Sequence, residues 1–430
     1  VPIDFTLDEQ QLQLRADARK FADEVLSGVA PAIADISDAG KCFDATKPFY
    51  QQMVDAGFQK LLIPPEYGGS EFSAIAFALA TEELARVDVN VPTTLLVTGL
   101  GVLPIIRLGT SEQKERWLPR FTDDQPRLAA WAFSEVTGGA NYDSADPRFG
   151  AQTFALRDGD SWVINGAKQF ISNGAGWDNE GPELMCVFCR TDPEAPPHES
   201  LALIVVEQGT PGVEIIGAID TIGHRGASTA RIEFHDARVP AEHILGNPGD
   251  GMDLVQYGFS WTCVPIGAAC VGRMRAAFDI AYEFARTDSR SGPHPVIEYQ
   301  NVGYMLADLK MRIEAARYLT WKTADHFDKT DGKDRELANI TKIYCSELTV
   351  QAVYDAMRLV GIESYTKRHP LSTIMEDVLV FPIYDCGNMG MRRRWMHEMF
   401  RNPTYDPLAA AENRVSYDPL APAGTLLSTV

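Results

Sequence analysis

The chain has 430 residues, 45% of them hydrophobic and 23% charged, with a formal net charge of −20 at pH 7. That length accommodates two or three domains with large cores, and the composition is that of a water-soluble globular protein. The acidic balance argues against a nucleic-acid footprint and against binding to an anionic membrane surface, which leaves small-molecule chemistry or protein partners.

The opening VPIDFTLDEQ has neither the basic nor the apolar region of a secretory signal, so a cytoplasmic location is expected. Thr6 and Glu9 have the spacing of a capping box for a first helix. KPFYQQMVDAGF predicts a second helix, with Pro48 near its start and Gly57 near its end. AIAFALATEELARV is apolar almost all round and predicts a buried helix. The longest apolar stretch, residues 94–108, is broken by glycine and proline and reads as too short to span a bilayer. A short charged helix opened by Thr110 or Ser111 follows. Residues 1–127 are therefore expected to form a helical domain.

From residue 128 to 247 the pattern changes to strands. Asp158-Gly159 and Asn165-Gly166 are hairpin signals. ELMCVFCRT, LALIVVEQ, VEIIGAI and ARIEFHDARV continue the strand pattern, which predicts a β-barrel or sandwich rather than βαβ units. The lone Cys186-x-x-Cys189 falls in one of these strands, so its thiols point to opposite faces. With no second pair nearby, a zinc site is not expected. The seven cysteines read as reduced, mostly buried thiols.

Residues 248–430 return to long amphipathic segments with short loops, the pattern of an antiparallel four-helix bundle. The tail APAGTLLSTV is expected to fray. The histidines show no ligand spacing. His294 and His369 sit beside prolines, and His243 and His397 read as solvated helix residues. No metal is expected. There is no GxGxxG after a strand and no P-loop.

Near the end of the chain, FPIYDCGNMGMRRRWM (381–396) places Asp385 seven positions before Arg392. On a helix the two share a face. Read from the residues alone, Asp385 is a helix cap and the arginines a solvated face, or Asp385 is a base held beside its counter-charge.

The order of helical domain, β domain and four-helix bundle resembles the acyl-CoA dehydrogenase superfamily. TIGHRGASTARIEFHDARVPAEHILG (221–246), WVINGAKQFISNG (162–174), AFSEVTGGAN (132–141) and IEYQNVGYMLADLKMRIEAAR (297–317) are similar to its segments. The resemblance implies an α+β fold of the acyl-CoA dehydrogenase type. Within the superfamily, GWDNEGPELMCVFCRT (176–191) and YDCGNMGMRRR (384–394) resemble the nitroalkane oxidases, with Asp385 where many dehydrogenases carry glutamate. In YGFSWTCVPIG (257–267), Gly258 and Trp261 replace an acid and an arginine that contact coenzyme A in many dehydrogenases.

What the resemblance implies is an FAD-dependent oxidase. Asp385 would take the α-proton of a nitroalkane, Arg392 would keep the carboxylate ionised, and Thr262 would hydrogen-bond it. The products would be an aldehyde or ketone, nitrite and, through molecular oxygen, hydrogen peroxide. Trp131, Ala132, Phe133, Ser134 and Ala140, with Phe170, Ile171 and Ser172, would line the flavin ring. Arg290, Tyr299, Gln300, Arg358 and Gly361 would reach the FAD of a neighbouring subunit in a homotetramer, Arg286 being the alternative to Arg290. Gly387 and Asn388 would lie near the adenosine end or the flavin edge. The alternative activity is a dehydrogenase or oxidase of acyl-CoA or carrier-bound acyl groups.

Overall fold

A computed structural model of the protein describes residues 5–70, 73–146, 148–290 and 292–418. They form two compact units interleaved in sequence: 5–19, 73–87 and 259–418 in one, 20–70 and 88–258 in the other. The tail expected to fray lies outside the described residues.

The first unit is built on the helices Cys263–Thr287, Gln300–Thr330, Glu336–Val360 and Pro370–Val378, with Ala74–Val87 packed among them. The Ala74–Val87 helix is buried as expected, yet it carries two acids inside, Glu82 and Glu83. Four arginines reconcile them with burial. Arg317 and Arg275 meet Glu82 at 2.9 and 2.8 Å, and Arg15 and Arg19 meet Glu83 at 2.7 and 2.9 Å. The first helix, Glu9–Glu24, is capped differently from the expectation. Asp8 accepts from the Gln11 backbone N–H at 2.8 Å and Gln11 Oε1 accepts from that of Asp8 at 3.1 Å. An aspartate–glutamine box two residues further on thus replaces the threonine–glutamate one.

The second unit carries the sheet: β1 Ala129–Ala132, β2 Phe154–Asp158, β3 Ser161–Ser172, β4 Leu184–Arg190, β5 Leu201–Glu207, β6 Val213–Ala218, β7 Thr229–Pro240 and β8 Ile244–Leu245. The strand order is β6-β7-β3-β2-β4-β5-β8, with β1 parallel to β4. Ile164, Val187, Ile204 and Phe234 pack in its core. The Asp158-Gly159 hairpin forms between β2 and β3, but Asn165-Gly166 makes no turn. It lies inside β3 at a bulge against β7, where Asn165 Nδ2 donates to Asp236 at 3.0 Å. Gly166 is needed there for close approach, because a Cβ would stand 2.7 Å from the Thr153 Cα. His243 is buried rather than solvated, with its ring edge-on to Trp117 and Nδ1 2.9 Å from the Val205 carbonyl. Cys186 and Cys189 are both fully buried in β4.

The stretch 94–108, read as broken, belongs to one helix, Asn90–Leu108, that continues through Pro104. It and the run Gly251–Thr287 are long and apolar enough to cross a membrane by length and composition, but most of their residues are buried inside the protein.

Candidate functional site

Beyond Pro370–Val378 the chain turns, then winds as a π-helix over Gly387–Arg392 before Arg393–Phe400 continues as an α-helix. Asp385, Cys386 and Gly387 are consecutively left-handed, with φ of 53°, 67° and 44°. For the two that are not glycine this costs on the order of 1–2 kcal/mol each, a strain that tertiary contacts must hold. Asp385 therefore lies outside the helix, and a shared helical face does not bring it to Arg392. The left-handed turn does so instead. Arg392 Nη2 donates to Asp385 Oδ2 at 2.6 Å, and Nε donates to the Asp385 carbonyl at 3.2 Å.

Thr262 completes the group. Its hydroxyl is 2.8 Å from Asp385 Oδ1 and 3.0 Å from the Phe259 carbonyl. Having one proton, it donates to one of them at a time. The Phe259 carbonyl also accepts from Arg392 Nη2 at 2.7 Å. The Asp385 side chain is 7% exposed and that of Arg392 not at all. Burial opposes the arginine's charge, but the acidic groups around it, Cys263, Asp385 and Cys386, together outweigh it and raise the guanidinium pKa above its ordinary value. Burial also pushes the neighbouring Cys263 thiol up to about 12, so no thiolate competes for the guanidinium at neutral pH. The arrangement is a carboxylate with spare acceptor capacity, fixed by a cation and a hydroxyl: the equipment of a general base.

Two partners of this group escaped the sequence reading. Asn339 Oδ1 accepts from Arg392 Nη1 at 3.2 Å. Lys342, fully buried, donates to the Phe381 carbonyl at 2.6 Å and to Asn388 Oδ1 at 3.2 Å. Burial lowers its pKa and the Asp385 charge opposes that shift. Lys342 falls on the buried stripe Ala338, Thr341, Cys345 and Thr349 of its helix. A lysine on an apolar helical face was the available signal.

In the sheet unit, the segments read as flavin-contacting run side by side. Glu135 bridges Lys168, and the Gln169 N–H donates to the Ser134 carbonyl at 2.9 Å. Lys168 Nζ, fully buried, donates to the Phe133 carbonyl at 3.1 Å and to Glu135 at 2.9 Å. Neither member of that pair was singled out in the sequence. Phe170 projects from a bulge in β3, left-handed at φ 60° and 58% exposed, while Trp131, Phe133 and Ile171 are buried and Ser134 and Ser172 half-buried. Ala140 lies in an exposed turn. An exposed aromatic beside two hydroxyls on paired strands suits a flat ring with polar edges, so these residues fit a flavin.

A second observation there concerns Gly258. A Cβ at this position would lie 2.4 Å from the Trp131 ring, so the indole leaves no room for an acidic side chain. Trp261 is buried, edge-on to Phe77 at 5.4 Å.

The residues read as dinucleotide-binding are spread along the bundle unit. Arg290 pairs with Asp288 at 2.5 Å and with Glu363 at 3.0 Å, just past Gly361. Gly361 is left-handed at φ 84°, with open space where a Cβ would stand. Arg358 pairs with Asp355 at 3.1 Å, and Gln300 donates to Tyr304. Tyr299 is 41% exposed. The Asn388 side chain is turned inward, with Nδ2 donating to Ser346 at 2.9 Å and Glu347 at 3.1 Å. Among the described residues, Glu214, Glu233 and His235 group three ligand-type side chains, but Arg231 already holds Glu233 at 2.6 Å.

Family models for the acyl-CoA dehydrogenase N-terminal, middle and C-terminal domains match residues 8–125, 130–237 and 249–399. The nitroalkane oxidase of Fusarium oxysporum is 34% identical over 428 residues, covering 95% of this chain and 97% of that protein. The solved Podospora anserina nitroalkane oxidase superposes with a TM-score of 0.91 at 34% identity, over 96% of this chain and 100% of the other. Butyryl-CoA dehydrogenase from Megasphaera elsdenii gives 0.80 at 28% identity, over 90% and 97%. The chain belongs to the acyl-CoA dehydrogenase superfamily and, within it, to the nitroalkane oxidases, a family of flavin-dependent oxidoreductases.

Proposed function

We propose that this chain oxidises nitroalkanes to aldehydes or ketones, with Asp385 as the base. The single observation that carries the reading is the Thr262–Asp385–Arg392 group, a buried carboxylate held by a hydroxyl at 2.8 Å and a guanidinium at 2.6 Å. A nitroalkane α-carbon approaching Asp385 loses its proton to the carboxylate. The site charge then passes from Asp385 to the substrate nitronate, and Arg392 stays cationic to balance it. Thr262 fixes the angle of the carboxylate. A bound FAD would supply the two-electron redox chemistry, with molecular oxygen as the final acceptor. Overall, nitroalkane, oxygen and water give carbonyl product, nitrous acid and hydrogen peroxide.

Ser134, Ser172, Phe170 and the 131–133 backbone would hold the flavin ring. Arg290, Tyr299, Gln300, Arg358, Gly361, Gly387 and Asn388 would serve the dinucleotide across subunits of a homotetramer. The division into domains 1–127, 128–247 and 248–430 is part of the same reading, supported by the bounds of the family models. The crowding of Gly258 by Trp131 and the burial of Trp261 weigh against acyl-CoA thioesters, whose polar groups lose their partners here.

The test is anaerobic mixing of the yellow holoenzyme with nitroethane and, separately, with butyryl-CoA. Bleaching of the flavin by nitroethane, with nitrite found after air is admitted, is the expected result. Bleaching by the thioester alone would overturn it.

A further inference from the structure

The Arg392 guanidinium spends its donors on four acceptors: Asp385 Oδ2, the Asp385 carbonyl, the Phe259 carbonyl and Asn339 Oδ1. Only the first belongs to a charged group. Among the described residues, Asp385 is the one carboxylate that bonds Arg392.

Asn339 occupies the position from which a rival would act. It is buried, and both ends of its amide are used, Oδ1 by Arg392 and Nδ2 by donation to the Arg335 carbonyl at 3.0 Å. An aspartate has the same shape and would meet the same nitrogen. We infer that Asn339 is a positioning residue for the base: by taking Arg392 Nη1 with a neutral oxygen, it leaves the cation's charge undivided for Asp385 and so sets the basicity of that carboxylate.

The inference rests on the reading of Asp385 as the base. The other groups facing the pair do not supply the same control. On Cys263–Thr287, Cys263 is a neutral thiol hydrogen-bonded to the Phe259 carbonyl at 3.1 Å. On Glu336–Val360, the Lys342 amine is directed at Phe381 and Asn388, while Glu347 bonds Asn388 and Arg393. On the segment itself, burial raises the Cys386 thiol and the Tyr384 phenol well above their ordinary ranges, so both stay neutral. An anion at position 339 would be the first to divide Arg392 with Asp385.

The experiment compares holoenzymes of the wild type, Asn339→Asp and Asn339→Leu. Anaerobic flavin reduction is followed across pH with neutral nitroethane and with preformed ethyl nitronate, which needs no base. For Asn339→Asp, the acid limb of the nitroethane profile moves up by about one pH unit, the low end of what loss of a charge partner produces. The nitronate profile does not follow it. Asn339→Leu introduces no rival anion: it slows reduction by nitroethane about tenfold through loss of the guanidinium's seat, with the limb unmoved.

An Asn339→Asp limb at the wild-type position overturns the inference. If that variant does not retain its flavin, Asn339→Leu decides, and wild-type rates with nitroethane overturn the inference. The proposed function fails separately, through a wild type that nitroethane does not bleach or an Asp385→Asn variant that bleaches as fast as wild type.

Discussion

Two buried ion pairs sit among the residues that this reading assigns to function, and they are built for opposite ends. Glu135 in the sheet unit accepts from Lys168 Nζ at 2.9 Å and from the backbone N–H groups of Gln152 and Thr153 at 2.6 and 2.9 Å. Burial would raise its pKa, but the Lys168 charge and these hydrogen bonds win, and the carboxyl is held below its ordinary range. Asp385 accepts two side-chain bonds, one of them from a hydroxyl that has another acceptor in reach. A carboxylate saturated by amides is a rivet. One that keeps open lone pairs and a movable partner can take a proton and return it.

The comparison is broken most sharply at the base. Asp385→Asn should lower anaerobic reduction by nitroethane by about 100-fold or more, the scale of general-base catalysis, while preformed nitronate still bleaches the flavin. Lys168→Met should leave activity per bound flavin closer to wild type. It strands a buried charge on Glu135 and should cost about 3–5 kcal/mol in chemical denaturation. Thr262→Val should slow nitroethane reduction about tenfold, with Thr262→Ser near wild type, because the serine keeps the hydroxyl.

The smallest effect concerns pH. The depressed carboxyl of Glu135 contributes stability that is fully present above the unfolded value near 4.5 and is lost as pH falls toward the folded one. The thermal midpoint should therefore drop below about pH 4.5, and Glu135→Gln should flatten that slope. A slope unchanged in Glu135→Gln would mean that other carboxylates, Glu83 among them, carry the acid sensitivity.

Much of this is legible in the sequence itself. The change from helices to strands near residue 128 and back near 248, the buried helix at 74–87 and the Asp385, Arg392 and Thr262 group all follow from local patterns or from whole-chain resemblance. What was not legible depends on neighbours far along the chain. Asn339 precedes Arg392 by 53 positions, and nothing within its own helix marks it as the guanidinium's partner. Lys168 looks like an ordinary strand residue until the Phe133 carbonyl is seen above it. Asn165-Gly166 has hairpin chemistry, but β7 supplies a ladder that carries the strand through it. His243 is polar enough for a surface, but Trp117 closes over it.

The left-handed run at residues 385–387 has a consequence for how the segment is anchored. Right-handed helical hydrogen bonding cannot propagate across three residues of the opposite hand. The run therefore ends one helical hydrogen-bond pattern before the next begins, while the Asn388 N–H, reaching back to the Pro382 carbonyl at 2.9 Å, ties its two sides together. The Phe381 carbonyl is held in turn by Lys342 Nζ at 2.6 Å, and Arg392 Nε closes on the Asp385 carbonyl at 3.2 Å. Asp385 and its cation are thus anchored to the turns before them as well as to each other.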